Sequence, residues 1–351
     1  MLNRYHIFTV RGFQFGDKNM NSVDIIVPCY NEAEGLSFFY NECRAVLDKT
    51  AGYMFRFIFI DDGSSDDTLR IIRTLAENET DVSYISFSRN FGKEAAMLAG
   101  LKHSTADLVV IMDADLQHPP ACIPEMIRLF DDGYDVISMV RTENRSAGLI
   151  KNITSGGFYA VMNAMSGTSF EKNASDFFAV SRRAAEVLRR DYRERVRFLR
   201  GYVQSIGFRR TTLQYAAADR AAGHSKYSIR KLFRFSMNTI MSFSDLPLRL
   251  GIYAGALSGI ISMILFVYTV WSKVTTGTPD GYATIICVIC FMFTVLFLLV
   301  GIIGQYIGIL FQEVKGRPIY LVEETLNFAA GKNAPAGSAD RPDDKDPEGR
   351  E

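Results

Sequence analysis

An α/β domain on a mostly parallel sheet, then amphipathic helices and a two-helix transmembrane hairpin, is the architecture this 351-residue sequence predicts. Three observations carry that expectation. Through residue 140, short apolar runs alternate with helical segments, the β-α-β-α rhythm of a parallel sheet covered by helices. Leu250–Trp271 and Tyr282–Phe311 are uncharged over 22 and 30 residues, and about 20 apolar residues cross a bilayer. From residue 329 the chain turns small, polar and charged, a composition that cannot bury a core.

The elements follow in order. Val23–Pro28 reads as a buried strand closed by proline, and Glu34–Lys49 shows helical periodicity. Phe55–Ile60 is a second strand and Thr68–Asn78 a second helix, with Ser65 or Asp66 as its N-cap. Val82–Phe87, Lys93–Lys102 and Asp107–Met112 continue as strand, helix and strand. Val136–Val140 is a further strand, Leu149–Met165 a helix, and Gly201–Tyr215 is strand-like. Arg230–Ser244 mixes Leu232, Phe233, Phe235, Met237 and Ile240 with Arg230, Lys231 and Arg234, a basic amphipathic helix suited to an anionic membrane surface.

This divides the chain into an N-terminal extension (1–21), the α/β domain (22–228), juxtamembrane amphipathic helices (229–248), two transmembrane helices (249–312), a cytoplasmic juxtamembrane segment (313–328) and a disordered tail (329–351). Residues 1–19 lack the apolar core of a secretory signal peptide. The ten-residue connection Ser272–Gly281 makes the two spans a hairpin. Arg249 precedes it and Lys315 and Arg317 follow, so the positive-inside rule puts both termini and the α/β domain in the cytoplasm, at the inner (plasma) membrane.

Zero formal net charge argues against a nucleic-acid binder. None of the five cysteines has metal-ligand spacing with a histidine, and Cys287-x-x-Cys290 lies inside an apolar run, where helix packing explains it.

Acidic clusters end the strands. Asp61 and Asp62 follow the second, and Asp113-Ala-Asp115 the fourth. Ligands of parallel sheets bind at such carboxyl ends. Carboxylates that bind a nucleotide diphosphate need a divalent cation between them, and Mg²⁺ or Mn²⁺ takes one or two carboxylates plus substrate phosphates.

Pro28-Cys-Tyr30-Asn-Glu32, Asp61-Asp-Gly-Ser-Ser-Asp66 and Asp113-Ala-Asp-Leu-Gln117-His-Pro119 fall in order, each after a strand. Together they resemble the family-2 glycosyltransferases of the GT-A (Rossmann-like) fold. Ser88-Arg-Asn-Phe-Gly-Lys93-Glu-Ala-Ala narrows the resemblance to the polyprenyl-phosphate glycosyltransferases, such as bactoprenol glucosyl transferases and dolichol-phosphate mannose synthases, over residues 22–325.

The resemblance implies nucleotide-sugar contacts for Pro28, Tyr30, Glu32, Asp61 or Asp62, Asp113, Arg220 and Lys226. It implies Mg²⁺ or Mn²⁺ at Asp113 and Asp115, with Gln117 as a further ligand, and a catalytic part for Asp115 and Asp176. The acceptor phosphate would meet Arg141, Lys151, Ser155 and Arg200. Phe178 stands where relatives often carry a basic residue, and Lys151 where they often carry arginine. The reaction implied is inverting transfer from a nucleotide sugar, UDP-glucose first and GDP-mannose or UDP-aminoarabinose behind it, to undecaprenyl or another polyprenyl phosphate. Its product would supply cell-envelope glycan modification, and relatives suggest a tetramer. The non-enzymatic alternative is a membrane scaffold with a degenerate domain, against which the intact Asp113, Asp115, Arg220 and Lys226 argue.

Overall fold

The structure, a computed structural model, describes residues 20–142, 171, 174–192, 194, 198–216, 246–276 and 281–328. The helices expected over Leu149–Met165 and Arg230–Ser244 lie outside the described residues, as do Lys151, Ser155, Arg220, Lys226 and the tail.

The first half alternates as expected: β1 (Asn21–Cys29), α1 (Leu36–Leu47), β2 (Tyr53–Asp61), α2 (Thr68–Asn78), β3 (Val82–Phe87), α3 (Lys93–His103) and β4 (Leu108–Ile111). Then come α4 (Ile123–Asp131), β5 (Val136–Arg141), β6 (Ala174–Ser181), α5 (Arg182–Arg190), α6 (Leu199–Ser205) and β7 (Arg210–Tyr215). Gly201–Tyr215 is therefore not one strand. Its first residues close helix α6, whose leading amide, Leu199 N–H, donates to the distant Glu94 side chain at 2.9 Å.

The eight strands form one sheet in the order β7-β5-β6-β4-β1-β2-β3-β8. Strands β1 to β4 run parallel, and β6 runs antiparallel to both β4 and β5. Alternation along each strand feeds two cores. Val23, Ile25, Val27, Phe57 and Phe59 pack under α1, α2 and α4. Ile26, Ile58, Ile60, Ile111 and Phe178 pack under α3, α5 and α6. Helix α3 lies so close to β1 that a Cβ on Gly100 would run into the Ile26 side chain.

Helices α7 (Leu246–Thr276) and α8 (Tyr282–Val314) contain apolar stretches, Leu250–Tyr268 and Phe291–Val314, long enough to cross a membrane. Their large side chains face outward: Trp271 is 70% and Phe297 68% exposed, so water is the wrong solvent for them. The two helices pack antiparallel. Gly251 and Gly255 face Leu299, and the Ser262 hydroxyl lies 3.1 Å from Met292 Sδ.

Within 313–328, where the sequence suggested no element, the chain returns to the sheet. Strand β8 (Val322–Leu326) pairs antiparallel with β3. Tyr320 stacks on Phe87 at 4.9 Å, Glu324 accepts from Arg73 and Tyr84, and Asn327 donates to the carbonyls of Ala76 and Val82.

Candidate active site

The site grows from a strand register. Ile111 of β4 faces Phe178 of β6 across an antiparallel ladder, and both point into the α3 layer. Side chains repeat every two residues, so continuing the ladder sets Asp113 opposite Asp176 on that same face. Two carboxylates so placed repel each other unless a cation separates them.

Lys93, the first residue of α3, supplies it. Its ammonium lies 2.7 Å and 2.8 Å from the two oxygens of Asp113 and 2.8 Å from Asp176 Oδ2. Arg200 stands 3.8 Å from the other Asp176 oxygen and donates to the Ala174 carbonyl at 2.9 Å. Burial would push the Asp176 carboxyl up, but Lys93 and Arg200 outweigh it and hold it well below the usual carboxylate range. Burial likewise works against the Lys93 ammonium, and Asp113 and Asp176 reverse that and raise it. Next door, burial and the Asp176 charge push Glu94 up to about 7, against the opposing Leu199 N–H.

The loop after β4 is curled by its own side chains. Asp113 N–H donates to His118 Nδ1 at 3.0 Å, and Gln117 N–H to Asp115 Oδ1 at 3.1 Å, while Leu116 takes φ 59°. His118 is buried, stacked on Phe177 at 5.0 Å and edge-on to Tyr215. Burial lowers its pKa, and a ring nitrogen that accepts an amide hydrogen belongs to a neutral imidazole. Arg141, at the end of β5, donates to Gln117 Oε1 at 2.9 Å and ties the neighbouring strand to this loop.

The second rim joins the turns after β1 and β2. Asn31 N–H donates to Ser64 Oγ, Glu32 N–H to Thr68 Oγ1 and Ala33 N–H to Asp66. Asp66 also accepts from Thr68 N–H, so it caps α2 from one residue before the structural N-cap, Asp67. Asp61 accepts from Ser64 N–H and Ser86 Oγ. Asp62 accepts from Phe91 N–H at 2.6 Å, Gly92 N–H at 2.8 Å and Asn90 Nδ2 at 2.9 Å. Burial raises the Asp62 pKa although these amides favour its ionised form. Asp62 thereby fixes the loop that delivers Lys93. Pro28 is half-buried and Tyr30 exposed beside this rim.

Asp113, Asp176 and Arg200 thus meet around Lys93, while Asp115, Gln117 and Arg141 form the adjoining loop. Pro28, Tyr30, Glu32, Asp61 and Asp62 line the turns after β1 and β2. Sequence alone points to no role for Lys93, Glu94 or His118, although all three sit inside the motifs at 88–96 and 113–119. A cation on the first turn of a helix opposes the macrodipole, and that misfit is the signal that marks Lys93.

Acidic loops converge at the carboxyl edge of a mixed α/β sheet, on a chain that also carries an apolar hairpin, and this arrangement fits a GT-A glycosyltransferase. The chain belongs to glycosyl transferase family 2, whose profile matches residues 24–189. It is 34% identical over 305 residues to an uncharacterized glycosyltransferase of Bacillus subtilis (strain 168), covering 87% of this chain and 94% of that protein. It is 35% identical over 307 residues to the SfII prophage-derived bactoprenol glucosyl transferase of Shigella flexneri, covering 86% and 98%. Among solved structures, a mannosyltransferase of Pyrobaculum calidifontis in complex with GDP-Man and Mn²⁺ aligns with TM-score 0.41 at 16% identity, over 81% of this chain and 88% of that one.

Proposed function

We propose that the protein transfers a hexose, glucose first, from its UDP-sugar to undecaprenyl or another polyprenyl phosphate at the cytoplasmic face of the plasma membrane. The observation that carries this reading is the juxtaposed pair Asp113 and Asp176 at the carboxyl edge of the sheet, where the first carboxylate would handle the diphosphate and the second stays ionised. Relatives named bactoprenol glucosyl transferases, alike over 86% of this chain, support the acceptor class.

In this reading Pro28, Tyr30, Glu32 and the Asp61–Asp62 rim take the nucleotide, and Arg220 and Lys226 close on its diphosphate. Asp113 and Asp115, with the Gln117 carbonyl, offer only oxygen donors. Among the described residues no group of three or more His, Cys, Asp or Glu is placed to cage a metal. That donor set suits Mg²⁺ or Mn²⁺ shared with substrate phosphates, and such an ion would neutralise charge on the departing diphosphate.

The acceptor phosphate, steered by Arg141, Lys151, Ser155 and Arg200, attacks the anomeric carbon with one oxygen. A C–O bond forms on one face, and the bond to the nucleotide oxygen breaks on the other, its electron pair leaving with UDP. One displacement inverts the centre. A phosphate monoester has its second pKa near 6, so its oxygen is already an anion and needs no base. Asp176, held well below the usual carboxylate range, fits an orienting and electrostatic part better than proton abstraction.

The return of the chain supports the membrane arrangement. Helices α7 and α8 pack antiparallel, and β8, eight residues past α8, belongs to the catalytic sheet. A hairpin that leaves and re-enters on the domain's own side agrees with the basic residues Arg249, Lys315 and Arg317 at its ends.

The test is to incubate membranes bearing the protein with polyprenyl phosphate and labelled UDP-glucose, GDP-mannose and UDP-aminoarabinose. Labelled lipid from UDP-glucose, lost in Asp115→Ala, is expected. Label from another donor alone would reassign the sugar. Transfer from none of them would favour the scaffold, and unchanged turnover in Asp115→Ala would overturn the metal assignment.

A further inference from the structure

Lys93 has no part in binding donor or acceptor in the reading above, yet it sits at the centre of the site. Its ammonium straddles the Asp113 carboxylate, 2.7 Å from Oδ1 and 2.8 Å from Oδ2, where a cation held by both oxygens would sit. The ammonium also donates to Asp176 Oδ2 at 2.8 Å. The backbone delivers it there deliberately: Asp62 clamps the Phe91 and Gly92 amides just before it. The location is otherwise poor for a cation, at the positive end of a helix dipole.

We infer that Lys93 is the built-in counter-ion of this site. It holds Asp113 and Asp176 together while no divalent cation is bound, and gives up Asp113 when one arrives. A metal chelated by both oxygens would occupy the place the ammonium now holds between them, so metal and ammonium compete for that position on Asp113. The displaced ammonium keeps Asp176 as its anchor, so it need only pivot. Lys93 is a positioning residue in this scheme. It keeps two facing carboxylates from repelling each other in the resting enzyme, and it biases metal loading towards the moment when donor phosphates supply the missing ligands. The inference rests on the reading of Asp113 and Asp115 as metal carboxylates.

The experiment is a Mn²⁺ titration of the full chain in detergent micelles without nucleotide, free Mn²⁺ being followed by electron paramagnetic resonance. Removing a charge-assisted hydrogen bond as competitor corresponds to about tenfold or more in affinity, so Lys93→Met should bind Mn²⁺ about tenfold tighter than the parent. General damage to the site would weaken binding, so a gain separates competition from disruption. Lys93→Gln is the second variant, should the methionine fail to fold. Asp176→Asn should weaken Mn²⁺ binding in the parent, because Lys93 then has only Asp113, and should weaken it much less in Lys93→Met. If neither Lys93 variant binds Mn²⁺ more tightly, while the parent binds it and Asp115→Ala does not, this inference alone is overturned. If the parent binds no Mn²⁺ beyond what the Asp113→Asn, Asp115→Ala double variant binds, the metal reading and this inference fall together.

Discussion

Glu94→Gln is expected to stabilise the protein in alkaline solution and to do much less in acid. The Glu94 carboxyl is pushed from its ordinary 4.5 up to about 7, by burial first and by the Asp176 charge second. A carboxyl with a raised folded-state pKa binds its proton more tightly in the fold than in the unfolded chain. Its favourable contribution is complete below pH 4.5 and is lost as pH rises through 7. Each unit of that difference is about 1.4 kcal/mol, so ionising Glu94 costs about 1 kcal/mol at pH 5.5 and about 3 kcal/mol at pH 8. Glutamine keeps an oxygen to accept Leu199 N–H and has no proton to lose. Its gain over the parent should therefore grow by about 2 kcal/mol between those pH values, which for an α/β domain of roughly 200 residues is about 4–8 °C in Tm. Melting curves in micelles, followed by intrinsic fluorescence from pH 5.5 to 8, measure this directly. A Tm gap that stays flat across the range, or a variant less stable than its parent at pH 8, would refute the reasoning.

Other perturbations test the frame around the site. Gly63 has φ +65°, and an added Cβ would come within 2.7 Å of the Arg89 Cα and the Asn90 amide. Gly63→Ala should cost roughly 2–4 kcal/mol and loosen the 88–92 loop, seen as a lower Tm and weaker UDP binding by calorimetry; parental values for both would contradict the close approach. Asn327→Ala removes two hydrogen bonds to the Ala76 and Val82 carbonyls, so about 2 kcal/mol of local protection should vanish from β8 amides in hydrogen exchange. In the hairpin, cysteines replacing Ser262 and Met292 should be joined by a short bifunctional thiol cross-linker, because the native Oγ and Sδ lie 3.1 Å apart. Adding Gly251→Leu, a wedge against Leu299, should suppress that cross-link, and undiminished cross-linking would contradict the packing.

Much of the fold is legible in the sequence where local pattern decides it. The strands at 23–28, 55–60, 82–87 and 107–112 are short apolar runs, three of them stopped by proline or acids, and each reappears within a few residues of its expected ends. Strand β8 is different. Val322–Leu326 holds two acids among five residues, and only its partner β3, far away in sequence, makes it a strand. The helix at 199–205 is misread for a related reason. It is seven residues long, and the group that caps it, Glu94, is 105 positions away. Within the site, the acidic motifs stand out because charge at a strand end is locally conspicuous. The pairing of Asp113 with Asp176 is a matter of register, which no single segment encodes. Lys93 carries one faint mark in the sequence, a cation at a helix start, and its purpose shows only when the two carboxylates appear beside it.

The last strand of the catalytic sheet also sets an order of manufacture. Tyr84 and Glu324, hydrogen-bonded in the finished protein, are 240 residues apart. A ribosome therefore completes both apolar helices before it delivers the strand that closes β3. Until then, the Val82–Phe87 edge, buried along its whole length in the final fold, stands open to pairing with any passing strand. Synthesis of the hairpin comes before closure of the sheet, so a chain that stalls there leaves behind a sticky, unfinished enzyme. Quality control acting on unpaired strands would find such chains by that edge.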